Sequence, residues 1–402
     1  MNKKRIIFHI DVNNAFLSWS AVHYLREGNK IDIRTIPSII AGDESKRRGV
    51  VLAKSPVAKK YGVKTAETIY SAKKKCPNLK VYPPNFQWYK KESDNMYKYL
   101  CQYTPIIERY SIDECFIDLT GTQYIYKDYI SLAYKIKNDI KNKFGFTVNV
   151  GIGNSKLCAK MASDFEKPDK VHTLYNEEIK IKMWPLPIED LLMVGKKTAE
   201  KMRTLNINKI GDLANADIEL LKKHFKNQAQ FYKSYALGID ESKVESKRPK
   251  AKSISITETL PYDCNDKLKL QHVLLKQTEE ISRILREKKE YAQTVAITYK
   301  NKNFEKYSHQ IKLDTPINKT EELYNIILEI LNKSWKEDAI RNIGIRLSEF
   351  TNTKKMQISL FETQMENNTK QEEKIQNIID DINKKFGSSS ILPASFKITE
   401  ND

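Results

Sequence analysis

The chain has almost no cysteine: five in 402 residues (Cys76, Cys101, Cys115, Cys158, Cys264), scattered and without a C-x-x-C pair. That spacing argues against a zinc site or a disulfide frame, and the thiols read as reduced groups of a cytoplasmic protein. Long apolar runs are missing too. No stretch reaches the roughly eighteen apolar residues a spanning helix needs, so no transmembrane segment and no membrane partner are expected. The opening Met1-Asn2-Lys3-Lys4-Arg5 leads into a short strand and not a long apolar segment, so no secretory signal is expected. No internal repeat is visible. Acidic charge is scarce: 51 Asp+Glu stand against 69 Lys+Arg, a formal charge of +18. Such an excess favours a polyanionic partner, nucleic acid before anionic membrane. The excess is uneven, since residues 17–90 carry fifteen Lys/Arg against five Asp/Glu.

What is present suffices for folding. With 40% hydrophobic residues the chain can build real cores, and its length implies more than one domain. Residues 5–12 read as a buried strand and Phe16 to Leu25 as a helix. Two short strands flank the polar turn Gly42–Gly49, and short helices over 57–61 and 69–75 stop at Cys76-Pro77. A Tyr- and Lys-rich helix from Asn85 to Tyr103 precedes a hairpin at 106–119. Ser131–Phe144 is an amphipathic helix closed by Gly145. A strand over 147–153 and a helix from Asn154-Ser155 through Phe165 complete a β-α-β-β-α-β order, the ferredoxin-like pattern, with helices expected on one side of the sheet. Short helices fill 168–246, and the basic, proline-broken segment 246–252 reads as a linker. Strands at 253–258, 294–299, 308–312 and 343–350, with helices at 268–289 and 319–333, form a second α+β domain. A polar tail follows.

The chemistry centres on Tyr110-Ser111-Ile112-Asp113-Glu114-Cys115-Phe116-Ile117-Asp118-Leu119. Two adjacent carboxylates sit beside apolar strands, where charge is costly unless a partner or a metal neutralises it. Asp11 closes the apolar run Ile6–Ile10. Three strand-end carboxylates suit a pair of Mg²⁺ ions about 3.5–4 Å apart, which serve phosphoryl and nucleotidyl transfer. Asp11 and Asp113 would bridge the ions, Glu114 would lie on the nucleophile side, and the Val12 carbonyl could add a ligand.

Ser111-Ile112-Asp113-Glu114 after a strand resembles the S-I-D-E motif of the Y family of translesion DNA polymerases. The opening strand ending in Asp11 and followed by Phe16 resembles the same family, as do Gly151–Lys160 and Lys167-Pro168 after Ala162-Ser163-Asp164. The match runs from residue 5 to about 350, with the flavour of bacterial polymerase IV or its UmuC-like relatives. The resemblance implies an α+β, multidomain right-hand polymerase with a ferredoxin-like palm (1–15 and 80–168), small fingers (16–79), a helical thumb (169–245), a linker (246–252) and a C-terminal α+β little finger (253–350). It implies a template-directed DNA polymerase acting on primer-template DNA and dNTPs with two Mg²⁺ per active site. Phe16 stands at the family's steric gate against ribonucleotides. Lys59 and the palm lysine Lys167 align with residues that grip the triphosphate. Pro56 replaces the Tyr of many members, and Ser55 could supply the missing donor.

Met193-Val194-Gly195-Lys196-Lys197-Thr198 resembles a helix-hairpin-helix, which turns backbone N–H groups toward a DNA phosphate. Met193 stands where the pattern has its first glycine. Gln357-Ile358-Ser359-Leu360-Phe361 in the tail (351–402) resembles the bacterial sliding-clamp peptide, with Gln357 at a pocket rim and Ile358, Leu360 and Phe361 as part of the docking segment. No second acidic constellation suggests an exonuclease, so no proofreading is expected, and a monomer is expected. Two alternatives use the same carboxylates or fold: a nucleotidyl cyclase, and a non-catalytic scaffold at stalled forks.

Overall fold

The computed structural model describes residues 5–44, 47, 49–247, 249–352, 378–382, 385–386 and 390–391. The chain divides into two compact units, the first ending at Pro249 and the second taking Lys250 onward together with Arg47. In the first, β1 (Ile7–Val12), α1 (Ala15–Arg26), β2 (Ser38–Ala41), β3 (Val51–Lys54), α2 (Pro56–Lys60), α3 (Ile69–Lys75), β4 (Lys80–Tyr82) and α4 (Phe86–Leu100) come first. The hairpin of β5 (Ile107–Arg109) and β6 (Glu114–Asp118) follows, then α5 (Tyr129–Phe144), β7 (Val148–Gly153), α6 (Lys156–Asp164) and β8 (Val171–Leu174).

The main sheet has the order β5-β6-β1-β7-β8. β1 runs antiparallel to β6 and β7, and β8 joins parallel to β7. Numbered one to four in chain order, β1, β5, β6 and β7 lie side by side in the order 4-1-3-2, which is the ferredoxin-like arrangement, extended by β8 next to β7. Every residue of β1 is buried, because a strand at the centre of a sheet covered on both faces has no solvent side.

Helices occupy both faces, not one as the sequence pattern suggests. Phe8, Ile10 and Val12 share a core with Trp19 of α1, Met96 of α4 and Ile136 of α5. The alternate residues point the other way, and there Ile7 and Phe116 pack on Ala159 of α6. Two glycines make that second layer possible. A Cβ on Gly151 would lie 1.9 Å from the Ala159 carbonyl oxygen, and one on Gly153 would lie 2.6 Å from the Ala159 nitrogen. α6 therefore rests on bare strand backbone.

A smaller sheet, β3-β2-β4, holds α2 and α3 through a core that includes Ile39, Val51, Ala58 and Ile69. Beyond β8 come α7 (Lys196–Arg203), α8 (Ile210–Asn215), α9 (Ile218–Phe225) and α10 (Gln228–Ala236). Their cluster reaches back to Leu157, Cys158 and Met161, so α6 is buried on two sides.

The second unit contains β9 (Ser253–Cys264), α11 (Lys267–Lys288), β10 (Tyr291–Asn301), β11 (Lys306–Ile317), α12 (Thr320–Ser334) and β12 (Ile340–Thr351). Its sheet is β11-β10-β12-β9, antiparallel throughout. These strands run longer than the apolar alternation predicts. The far half of β9 is exposed at Pro261, Tyr262 and Asp263, and its ladder to β12 shifts register between the Thr259–Asn342 and Cys264–Ile340 pairs. Tail residues 378–382 are helical, and Asp380 receives two charged hydrogen bonds from Arg286 of α11, at 2.6 and 3.0 Å.

Candidate active site

The β1–β6 register sets Asp11 directly opposite Glu114, and the β1–β7 register sets Asn149 on the other side of Asp11. Directly opposed residues on antiparallel strands lie about 4.5–5.5 Å apart at Cα, so two carboxylates share one face without leaving the sheet. Asp113 stands one residue before β6, and its carbonyl accepts the Val12 N–H at 3.1 Å. Its carboxylate instead accepts the Ser111 hydroxyl at 2.6 Å. Asp11, Val12, Asp113 and Glu114 are therefore neighbours. Yet among the described residues no three acidic, His or Cys side chains converge closely enough to hold a metal ion.

What separates the carboxylates is lysine. Lys160 of α6 places Nζ 2.6 Å from Glu114 Oε1. Lys167, just past α6, bonds Asp11 and also pairs with Asp164 at 2.7 Å. Asp11, Asp113, Glu114 and Asp164 against Lys160 and Lys167 leave two negative charges around the site. Burial pushes the Asp11 carboxyl up to about 6, helped by the Glu114 and Asp113 charges and opposed by Lys167. Burial would lower Lys167, but the Asp11 and Asp164 carboxylates outweigh it and hold the ammonium protonated. His9, two residues before Asp11, is buried and kept neutral by desolvation and by both lysines, and its Nδ1 meets Ser163 Oγ at 2.7 Å. A hard-oxygen donor set balanced by exchangeable ammonium groups fits divalent cations chemically.

Asn14 takes a left-handed backbone (φ 51°) and starts α1, which sets Phe16 at the rim of the first core. The Phe16 ring stacks on Tyr89 with centroids 5.0 Å apart and meets Phe86 edge-on at 6.0 Å. Tyr89 is itself pinned by Ser20 at 2.7 Å, so the half-buried ring has a fixed floor. Ser55 is placed otherwise than the sequence suggests. It is fully buried and caps α2, its hydroxyl accepting from Ala58 N at 3.0 Å and Ser38 N at 3.1 Å. Pro56 follows as the first helical residue, where its fixed φ suits the turn. Lys59 and Lys60 lie exposed at the end of the same helix.

Gly195 is the N-cap of α7, with open space around its Cα, and Lys196 and Lys197 are exposed in the first turn beside the half-buried Thr198. Met193 adopts φ 72°, so the left-handed bend survives without the glycine. The segment Gln357, Ile358, Leu360 and Phe361 lies outside the described residues.

A sequence model of the impB/mucB/samB family matches residues 10–164, its C-terminal-domain model matches 251–360, and the IMS family HHH motif matches 176–207. DNA polymerase IV of Clostridium acetobutylicum is 44% identical over 388 residues, covering 96% of this chain and 97% of that protein. The chain belongs to the Y family of DNA polymerases. DNA polymerase IV of Clostridium kluyveri is 35% identical over 399 residues, covering 97% and 98%. A solved Y-family DNA polymerase chimera of Dbh and Dpo4 superposes with a TM-score of 0.74 at 23% identity, covering 87% of this chain and all of that one. Likeness to DNA polymerases along nearly the whole chain, residues 176–207 and 251–360 included, removes the cyclase alternative. Among the described residues no helix is long and apolar enough to cross a membrane.

The sequence reading of this Y-family chain gives Lys160 no role of its own. A signal was available: Lys156 and Lys160 are four apart on α6, and both reach the hairpin carboxylates, Lys156 meeting Glu108 at 2.7 Å.

Proposed function

We propose that this polymerase copies DNA across damaged template bases, by nucleotidyl transfer with two Mg²⁺ and without proofreading. The observation that carries the reading is the facing pair Asp11 and Glu114, balanced by Lys167 and Lys160 on a ferredoxin-like sheet. Asp11, Asp113, Glu114 and the Val12 carbonyl would hold the cations, which when bound supply charge neutralisation at the triphosphate and a more acidic primer 3′-hydroxyl. Lys167 presents an ammonium group at the same face and acts as a point charge for the triphosphate, with Lys59 as a second contact from the fingers. Phe16, floored by Tyr89, excludes the 2′-hydroxyl of a ribonucleotide.

The backbone N–H groups of Gly195 to Thr198 take a DNA phosphate without reading sequence. Residues 1–15 and 80–168 serve as palm, 16–79 as fingers, 169–245 as thumb, 246–252 as linker and 253–350 as little finger. Gln357, Ile358, Leu360 and Phe361 tether a monomeric enzyme to the sliding clamp, which raises its local concentration at a primer end.

The test is primer extension with Mg²⁺ and dNTPs on an undamaged template and on one with an abasic site, beside Asp113→Ala. Bypass by the wild type that disappears in Asp113→Ala is the expected result. Failure of the wild type on both templates, with clamp present, would leave the scaffold reading.

A further inference from the structure

Lys167 lies beyond the end of α6, where no regular element holds it. The segment that carries it is clamped from below by one buried amide. Asn149 of β7 is completely buried, and all four of its hydrogen-bonding positions are used. Its Nδ2 donates to the Ser163 carbonyl at 2.9 Å and the Glu166 carbonyl at 2.6 Å. Its Oδ1 accepts from Lys170 N at 3.2 Å and from Asn13 Nδ2 at 3.0 Å. Asn13 adds the next hold, since its Oδ1 accepts Asp169 N at 2.9 Å. Asp169 has φ 62°, a left-handed backbone that persists only when its surroundings enforce it. Ion pairs from Lys137 and Lys141 at 2.8 and 2.9 Å fix its side chain. Asn149 is also the register partner of Asp11, the carboxylate that Lys167 bonds. The amide therefore ties both ends of the Asp11–Lys167 contact to one rung of the sheet.

We infer that Asn149, assisted by Asn13, is a positioning residue that aims the Lys167 ammonium group at the triphosphate of the incoming nucleotide. This rests on the reading of Lys167 as a triphosphate contact. A buried asparagine with a purely structural role would affect folding and turnover alike. A positioning role falls on nucleotide affinity and acts only through Lys167.

The experiment is a double-mutant cycle with the full chain: Asn149→Leu, Lys167→Ala and the pair, with Asn13→Ala as a second route to the same segment. Binding of the correct dNTP to a dideoxy-terminated primer–template complex is titrated, and KM and kcat are measured on undamaged DNA. Each single variant should weaken dNTP binding about tenfold, the loss of a charge-assisted contact. DNA affinity should hold and kcat should change less than KM. Asn149→Leu should add nothing once Lys167 is alanine. Additive effects, or lower kcat and melting temperature with unchanged dNTP affinity, overturn the proposal. If Asn149→Leu does not fold, Asn13→Ala decides alone by the same criteria. Unchanged affinity in Lys167→Ala refutes the triphosphate reading of that lysine and the proposal with it, whereas a loss in Lys167→Ala alone refutes only the proposal.

Discussion

Replacing Gly151 by alanine should cost more than a single methyl group suggests. The added Cβ would meet the Ala159 carbonyl oxygen at 1.9 Å and the Ser163 nitrogen at 2.4 Å. Both are backbone atoms of a helix, so no side chain can swing aside. Reaching ordinary contact at 3.4 Å requires α6 to withdraw by about 1.5 Å. That shift loosens the packing of Leu157, Met161 and Ala162, all buried. It also strains the 2.6 Å Lys160–Glu114 pair and the 2.7 Å His9–Ser163 bond. Overpacking of about 1–3 kcal/mol, with about 1 kcal/mol for the strained polar contacts, gives a loss of about 2–4 kcal/mol. For a unit of this size that is a fall of about 4–16 °C in melting temperature. Gly195→Ala is the control, since no atom lies within 4 Å of its Cβ position and its φ is −80°. Thermal melts of the full-length variants by circular dichroism would check both. A Gly151→Ala protein melting within about 2 °C of wild type would refute the claim that α6 rests on bare strand backbone.

Met193→Gly should stabilise the chain by up to about 1 kcal/mol in urea titrations, because it relieves a left-handed φ of 72° against some added unfolded-state entropy, while Met193→Val should destabilise it. Phe16→Ala should reduce discrimination against ribonucleotides by about 10–100-fold in single-nucleotide incorporation assays, and unchanged discrimination would remove the gate from Phe16. Burial raises the Glu279 carboxyl to about 7, with Arg286 opposing and Asp380 adding to it. The folded state then binds the proton more tightly than the unfolded chain, so stability should fall as pH rises from about 4.5 to 7, by on the order of 2 kcal/mol. Glu279→Gln should flatten that slope in pH-dependent denaturation, and an unchanged slope would place the proton elsewhere.

The strand-end carboxylates were legible because Asp11 and Glu114 close and open apolar runs, and their register follows from adjacent antiparallel strands. The face they occupy was not legible. Ile7 to Val12 is apolar or buried at nearly every position, so the two-residue period that assigns faces carries no signal. The glycines at 151 and 153 were visible as a motif, but a glycine's missing side chain does not say which helix comes close. Ser55 misled for a related reason. A serine before Pro56 is equally a phosphate donor or a helix cap, and only the two N–H groups directed at its oxygen decide for the cap. Asn149 gave no sign at all, because a polar residue inside a strand normally argues for solvent, and its partners lie 14 to 21 residues away in the chain as well as across the sheet at Asn13.

The two lysines that balance the carboxylates are held by different devices, and this makes their contributions separable. Lys160 sits within α6, so its reach to Glu114 is set by how closely the helix lies on Gly151 and Gly153. Lys167 sits three residues past the end of α6, and its reach to Asp11 is set by the amide of Asn149 and the left-handed Asp169. Withdrawal of α6 in Gly151→Ala displaces Ser163 and everything after it, so both lysines should be lost together, with stability and turnover falling in parallel. Loss of the Asn149 amide leaves α6 on its glycines and Lys160 on Glu114. The second kind of variant should therefore keep its DNA affinity and lose nucleotide affinity, while its melting temperature falls because the Ser163 and Glu166 carbonyls lose their donor. The gap between these two patterns measures how far the geometry of one face of the sheet is divided between a helix seat and a loop clamp.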